Sequence, residues 1–218
     1  MAPNLYYMSA SPAARSVDMC TKAIGLDLNI IEVDLRKGAH LSAEYLKLNP
    51  QHTVPLLDDD GFVLADSHAI MTYLVSKYGK DETLYPKDLK QRAIVDHRLH
   101  FDSNILYVRG LLIGRSLLFE GAKSIDPKLL ASLEEAFSIT EQFLERSKYV
   151  AGDQLTIADF SFVTCITSWS GAFAPLTEDK FPKICAWIKK MQQLPYYREC
   201  NQVGLDIYLG AIKDKLSK

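Results

Sequence analysis

Residues 49–55 read Asn-Pro-Gln-His-Thr-Val-Pro, the most constrained stretch in the first half of the chain. Two prolines bracket a polar loop just where a short apolar run, residues 54–57, reads as a strand. Pro55 has no N–H to give to a sheet ladder, so Val54 reads as an edge whose backbone is open to another partner. A cis bond before Pro55 turns that backbone outward. Two readings stand at this point: a rigid turn, or an edge that binds a ligand.

Working outward, residues 5–8 read as a strand and residues 15–24 as a helix stopped by Gly25. Residues 28–33 form a second strand rich in branched side chains. A strand, helix, strand unit implies parallel pairing. Residues 62–64 are a fourth strand, reached from 54–57 through Asp58-Asp59-Asp60-Gly61, whose Asp-Gly pair supplies the positive φ angles of a hairpin turn. Residues 67–78 read as a helix ending at Gly79. Beyond residue 90 the strand signals vanish, and residues 91–118, 127–147, 157–170 and 182–194 carry apolar side chains at helical spacing. The expected organisation is an α/β domain with a mixed four-stranded sheet over residues 1–80, a linker over 81–90 and an all-α domain over 91–218.

The 218 residues, 48% hydrophobic and 24% charged with net charge −2, offer no basic face for nucleic acid. No apolar run approaches the ~20 residues of a membrane span, and the start of the chain lacks the features of a signal peptide, so the expected location is the cytoplasm. Cys20, Cys165, Cys185 and Cys200 show no C-x-x-C spacing and no histidine pattern beside them; they read as reduced thiols, with no metal site.

Two helix starts could carry chemistry. Asp66-Ser67-His68 is an ordinary cap, but free N–H groups at a helix start also attract a carboxylate, and Asp66 beside them can hold an ammonium group. A carboxylate and an amine together describe an amino-acid-like ligand. Ser11-Pro12 likewise reads as a cap with proline in the first turn. No base is placed to make Ser11 a nucleophile, yet its hydroxyl can donate a hydrogen bond to an anion, and a thiolate is a fitting one.

Taken together, Ser11-Pro12 with Arg15, the run from Leu46 to Pro55, Asp66-Ser67-His68-Ala69-Ile70, Leu84-Tyr85-Pro86, His100-Phe101-Asp102-Ser103, Thr156-Ile157-Ala158-Asp159-Phe160 and Leu194-Pro195-Tyr196-Tyr197 resemble the cytosolic glutathione transferases over essentially the whole chain. The match is to the insect delta and epsilon classes, with epsilon favoured by His68 where delta-class proteins carry arginine. The resemblance implies a thioredoxin-like N-terminal domain, a homodimer, and conjugation of the glutathione thiolate to hydrophobic electrophiles, glutathione being a co-substrate. It implies that Ser11 hydrogen-bonds the glutathione sulfur and that Val54, ahead of cis-Pro55, pairs its backbone with the cysteinyl part. His40 and His52 match positions at the glycine end, Asp66 and Ser67 with His68 match the γ-glutamyl site, and Asp102 supports that site from the same chain or across a dimer interface. Thr156 and Asp159 match a capping box, a folding role that physics alone also gives them.

Two departures bear on the site. Asp66 stands where most relatives have glutamate, one methylene longer, and Ser11-Pro12-Ala13-Ala14 lacks both sulfurs of a dithiol oxidoreductase. For the electrophile, the implied wall is Met8, Tyr107, Gly110, Leu111, Gly114, Leu118, Phe119 and Tyr208. Gly110 and Gly114, four apart on one helix face, are explained either by close helix packing or by an enlarged pocket, and bulkier residues in relatives tilt the reading to the pocket. Arg109 and Arg115 point either into it or into solvent. The leading function is detoxification of electrophiles such as insecticides or plant allelochemicals. The alternative is a non-catalytic protein of this fold that sequesters hydrophobic ligands.

Overall fold

In a computed structural model, which describes residues 2–217, the apolar runs of the first half pair into one sheet of order β2-β1-β3-β4. The strands are β1 (Asn4–Tyr7), β2 (Asn29–Glu32), β3 (Leu56–Asp59) and β4 (Phe62–Ala65). β1 runs parallel to β2 and antiparallel to β3, with Leu5 opposite both Ile30 and Leu57, and β3 pairs antiparallel with β4. The helix α1 (Pro12–Ile24) crosses between β1 and β2. Ser11 Oγ accepts the Ala14 N–H at its start, and Gly25, at φ 72°, lets the chain turn out of its end.

One expectation changes here. The ladder begins at Leu56, in the centre of the sheet, so Val54 and Pro55 precede a central strand and do not form an edge strand. The peptide bond between them is cis. The hairpin is tied to α3 (Ser67–Tyr78) through the buried Asp59 carboxylate, which accepts from Tyr73 Oη at 2.7 Å, Lys77 Nζ at 2.7 Å and Tyr78 Oη at 2.8 Å. A short helix, α2 (Ala43–Leu48), went unseen in the sequence because its single buried residue, Tyr45, leaves no apolar stripe.

The second half is helical: α4 (Leu89–Phe101), α5 (Tyr107–Leu118), α6 (Pro127–Glu145), α7 (Ile157–Ala172), α8 (Pro182–Met191) and α9 (Val203–Leu216). The single helix expected over residues 91–118 is divided by a π-helical turn, Asp102–Leu106, in which the Tyr107 N–H reaches back five residues to the Asp102 carbonyl. A second π-turn, Arg198–Gln202, leads into α9, so α9 starts without a capping residue and gave no start signal in the sequence.

The axis of the molecule is α7, buried at every residue from Ile157 to Trp169. α1 packs on it from the sheet side, and α4, α5, α8 and α9 pack on it from the helical side. A helix start enclosed in protein cannot use water for its free N–H groups. Protein acceptors take that place: the Ile157 N–H donates to the Leu84 carbonyl and the Asp159 N–H to the Thr156 carbonyl, each at 3.0 Å, while the Asp159 carboxylate fixes the residues around the start, accepting from the Thr156 N–H at 2.9 Å, Thr156 Oγ1 at 3.1 Å, the Val150 N–H at 3.0 Å and Trp187 Nε1 at 3.1 Å. Thr156 and Asp159 thus form the expected capping box. Asp159→Ala strands these donors in a dry interior and lowers the unfolding free energy by about 3 kcal/mol or more. Urea unfolding is the measurement, and a loss below about 1 kcal/mol shows that water takes over the carboxylate's role.

Candidate active site

A cavity of about 180 Å³ opens between the loop before β3, the start of α3, the first π-turn and α7. Its walls include Val54, Pro55, Asp66, Ser67, His68 and Asp102 from the expected glutathione set, Tyr107 from the expected electrophile wall, and Ser161 and Cys165 of α7, which were not expected. Ala13, two residues after Ser11, also lines it, whereas Ser11, His40 and His52 do not.

The loop is rigid for local reasons. The buried Asn49 side chain donates to the Thr53 carbonyl at 3.0 Å and accepts the Gln51 N–H at 3.0 Å, while Tyr45 Oη donates to the same Thr53 carbonyl at 2.6 Å. These bonds present Val54 with its backbone polar groups unpaired among the described residues. His52 sits beside it at φ 48°, its ring 6.1 Å from that of His40, and His40 Nδ1 is buried with no partner among the described residues.

At the start of α3, Asp66 takes φ 77°, and its Oδ1 accepts the N–H groups of His68 at 2.9 Å and Ala69 at 3.0 Å. Ser67 follows, buried, at the first helical position. Asp66 itself does the capping and occupies two of the N–H groups that the sequence reading left open to an anion, so the Ser67 N–H is the one of the first turn without a partner among the described residues.

Behind α3 lies a contact that sequence reasoning missed. His68 Nε2 is 3.0 Å from Asp102 Oδ2 and 2.7 Å from Ser161 Oγ, and Ser161 Oγ donates to Asp102 Oδ2 in turn. This is a Ser-His-Asp set in composition only. Serine and aspartate meet the same imidazole nitrogen, so no proton can pass from one across the ring to the other, and serine hydrolysis is not its chemistry. The partners lie 34 and 93 residues from His68, and the only local hint was Ser161 and Cys165, four apart on buried α7 and both facing the cavity. Asp102 Oδ1 remains without a partner among the described residues. Burial pushes the Cys165 thiol well up, so the sulfur in the cavity wall is protonated and unreactive at neutral pH.

The expected wall for a second substrate is only partly as foreseen. A Cβ on Gly110 would lie 2.3 Å from the Trp169 ring, so Gly110 is a close-packing glycine and opens no pocket. Gly114 is similar, its Cβ position 2.8 Å from Tyr208 Oη, and Tyr208 is itself buried edge-on against Trp169. Arg109 turns to α6, binding the Ser132 carbonyl and Glu135, and Arg115 pairs with Glu120 in solvent. Leu111 and Phe119 are exposed on α5, Leu118 is half-buried, and Val203 and Ile207 stand exposed on the neighbouring α9. Met8 packs at the other side, against the group of Val33, Tyr45, Val54 and Leu56.

Residues 5–82 match the glutathione S-transferase N-terminal domain family, and residues 68–195 match the glutathione S-transferase C-terminal domain family. The chain belongs to the glutathione S-transferase family. This transferase is 44% identical to glutathione S-transferase 1 of Manduca sexta, with all of both chains aligned. It is 47% identical to an epsilon-class glutathione S-transferase of the housefly, Musca domestica, at a TM-score of 0.95 with 98% of each chain covered. A glutathione transferase homologue of Drosophila mojavensis, solved with bound glutathione, is 46% identical at a TM-score of 0.95 over 98% of this chain and 97% of its own. The transferase is thus an insect-type enzyme of the delta and epsilon group, with a thioredoxin-like sheet domain and a helical second half.

The histidine that marks this transferase's site has a titration consequence. Burial opposes the imidazolium, but the hydrogen bond and charge of Asp102, aided by Asp66, outweigh it and hold the His68 pKa above its ordinary 6.5. A folded pKa above the unfolded one adds stability that is complete below about pH 6.5 and is lost as pH rises through the folded value. The stability gap between the parent and His68→Gln therefore narrows as pH rises above about 6.5 in denaturant titrations, whereas a gap independent of pH contradicts an imidazolium paired with Asp102.

Proposed function

We propose that the cavity receives the γ-glutamyl end of glutathione and that Ser11 holds the glutathione sulfur as a thiolate for attack on a hydrophobic electrophile. The observation that carries this reading is the cavity's donor set. Ser67 at a helix start suits a carboxylate, Asp66 and the unpaired Asp102 Oδ1 suit an ammonium, and about 180 Å³ suits one amino-acid unit. Asp102 reaches the cavity from the same chain that supplies Ser67. The unpaired backbone of Val54 beside cis-Pro55 extends the site along a peptide, and His40 and His52 stand farther on, at the glycine end.

Ser11 acts by donating a hydrogen bond, since a serine hydroxyl is too weak an acid or base to exchange a proton at neutral pH. A donor to the sulfur lowers the thiol pKa and raises the fraction of thiolate. Its lone pair already caps α1 through the Ala14 N–H at 3.3 Å, leaving the O–H to point elsewhere. Tyr7, four residues before Ser11, is buried in the sheet and pushed up by that burial, and Tyr107 in the cavity wall is pushed up likewise, which leaves both phenols unsuited to activating a thiol.

The electrophile lies against Met8 and the exposed apolar faces of α5 and α9, Leu111, Phe119 and Ile207 among them. Residues 1–80 form the glutathione-binding domain, 81–90 the linker and 91–218 the domain that supplies this apolar wall. The enzyme works as a cytoplasmic homodimer that removes insecticides or plant allelochemicals. Exposed Phe62, Leu89 and Ile94 leave apolar surface for a second copy, and no described helix is long and apolar enough to cross a membrane.

The test is the ultraviolet absorbance of the glutathione thiolate, titrated on the parent and on Ser11→Ala, with turnover of 1-chloro-2,4-dinitrobenzene measured on both. Ser11→Ala raises the pKa of the bound thiol and lowers kcat by about 100-fold, the scale seen when one donor to a developing anion is lost. An unchanged titration with unchanged turnover removes Ser11 from the mechanism, and loss of glutathione binding in Asp66→Ala separates the γ-glutamyl assignment from the sulfur assignment.

A further inference from the structure

Arg15 lies one helical turn after Ser11 and has no exposed surface. Its Nη1 donates to the Asn201 carbonyl at 3.2 Å and to Asn201 Oδ1, and its Nη2 donates to Ser168 Oγ at 2.6 Å. Asn201, equally buried, stands in the second π-turn and donates to Thr167 Oγ1 at 3.3 Å. Three residues on, Gly204 of α9 meets the loop that carries Ser11. A Cβ there would lie 2.0 Å from the Ser9 carbonyl oxygen and 2.7 Å from Arg15 Cδ. From the sheet side, the same loop is tied by the Ser11 N–H to the Met8 carbonyl at 2.9 Å.

The chemistry of this contact is unusual for mere adhesion. A guanidinium with only neutral partners carries a desolvation cost that an apolar pair in the same place would avoid. What the planar fork gives in exchange is direction: two nitrogens on two fixed acceptors set the helix's rotation and depth. Both acceptors belong to the helical half, while the arginine belongs to the helix that Ser11 starts. None of Ser9, Arg15, Asn201 and Gly204 lines the cavity, so none of them touches the ligand there.

We propose that Arg15, Asn201 and Gly204 are positioning residues for Ser11: the fork on Asn201 and Ser168, with the side-chain-free seat under the Ser9 carbonyl, fixes the loop ahead of α1 so that the Ser11 hydroxyl meets the bound sulfur. The helical half thereby sets the geometry of a residue in the sheet half. This inference rests on the reading of Ser11 as the sulfur's donor and extends it.

The experiment is the same thiolate titration and 1-chloro-2,4-dinitrobenzene assay on Asn201→Ala, Gly204→Ala and Asn201→Asp. Gly210→Ala serves as a control, at an α9 glycine whose Cβ position has open space. Asn201→Ala and Gly204→Ala raise the pKa of the bound thiol and lower kcat by about 10-fold to 100-fold, the scale of an about 1 Å misplacement, with KM for glutathione within about two-fold. Asn201→Asp, which keeps an acceptor for the fork, stays near the parent, and so does Gly210→Ala. In a Ser11→Ala background Asn201→Ala adds nothing further, because its effect runs through the hydroxyl.

If both disruptive variants fail to fold, Ser168→Ala, which removes one acceptor from the fork and leaves the Asn201 contacts in place, carries the same readout. Folded variants that lose stability but titrate and turn over like the parent overturn the proposal while leaving Ser11 in place. A titration that Ser11→Ala itself does not move overturns the proposal and the Ser11 reading together.

Discussion

The structure depends on one carboxylate that is denied water. α7 is enclosed from Ile157 to Trp169, and both halves of the chain build on it, so its first turn has to find acceptors within the protein. The Leu84 and Thr156 carbonyls provide them, and the Asp159 carboxylate locks that arrangement by accepting from the Thr156 N–H while it ties in Val150 from the preceding loop and Trp187 from α8. Farther along α7, small hydroxyls take the same approach: Thr164, Thr167 and Ser168 each return a hydrogen bond to a carbonyl four residues back, and so remain buried without unpaired donors. A helix built this way can carry polar side chains through a dry interior, and two of them, Ser161 and Ser168, face the cavity's histidine and the buried arginine respectively.

Much of this was legible in the sequence where a local rule decides the outcome. The bounds of α3, Ser67–Tyr78, followed from a cap and a terminal glycine, and the hairpin followed from Asp-Gly at 60–61. The capping box at Thr156 and Asp159 was readable because its two members are three residues apart. Six residues that the resemblance grouped, Val54, Pro55, Asp66, Ser67, His68 and Asp102, line one cavity although up to 48 residues separate them. The rest depended on partners distant in sequence. Trp169 decides what Gly110 is for, Ser9 decides what Gly204 is for, and neither glycine carries a sign of its neighbour. The two π-turns were invisible for a related reason: apolar spacing continues through them almost undisturbed, so 91–118 read as one helix.

His68 gives the cavity wall a charge that depends on pH. An arginine there carries a fixed charge, whereas the imidazole shares Asp102 with Ser161 and keeps its charge only while the pair holds its proton. The cavity wall at His68 therefore has an electrostatic setting that follows pH around neutrality, whereas Arg15, its pKa brought down to about 10 by burial, keeps its charge there.

The first π-turn gives the molecule a dependence on helical phase. Each residue of an α-helix advances the face by about 100°, so a segment that accommodates one extra residue decides which side chains the next helix shows to each neighbour. Asp102–Leu106 is that segment for α5. Gly110 meets Trp169, Arg109 reaches α6 and Leu111 is left to solvent because the extra residue lies upstream of all three. A single-residue deletion there, though far from any loop, rotates an entire wall of the enzyme, which makes α5 far less tolerant of length changes than of changes in its exposed side chains.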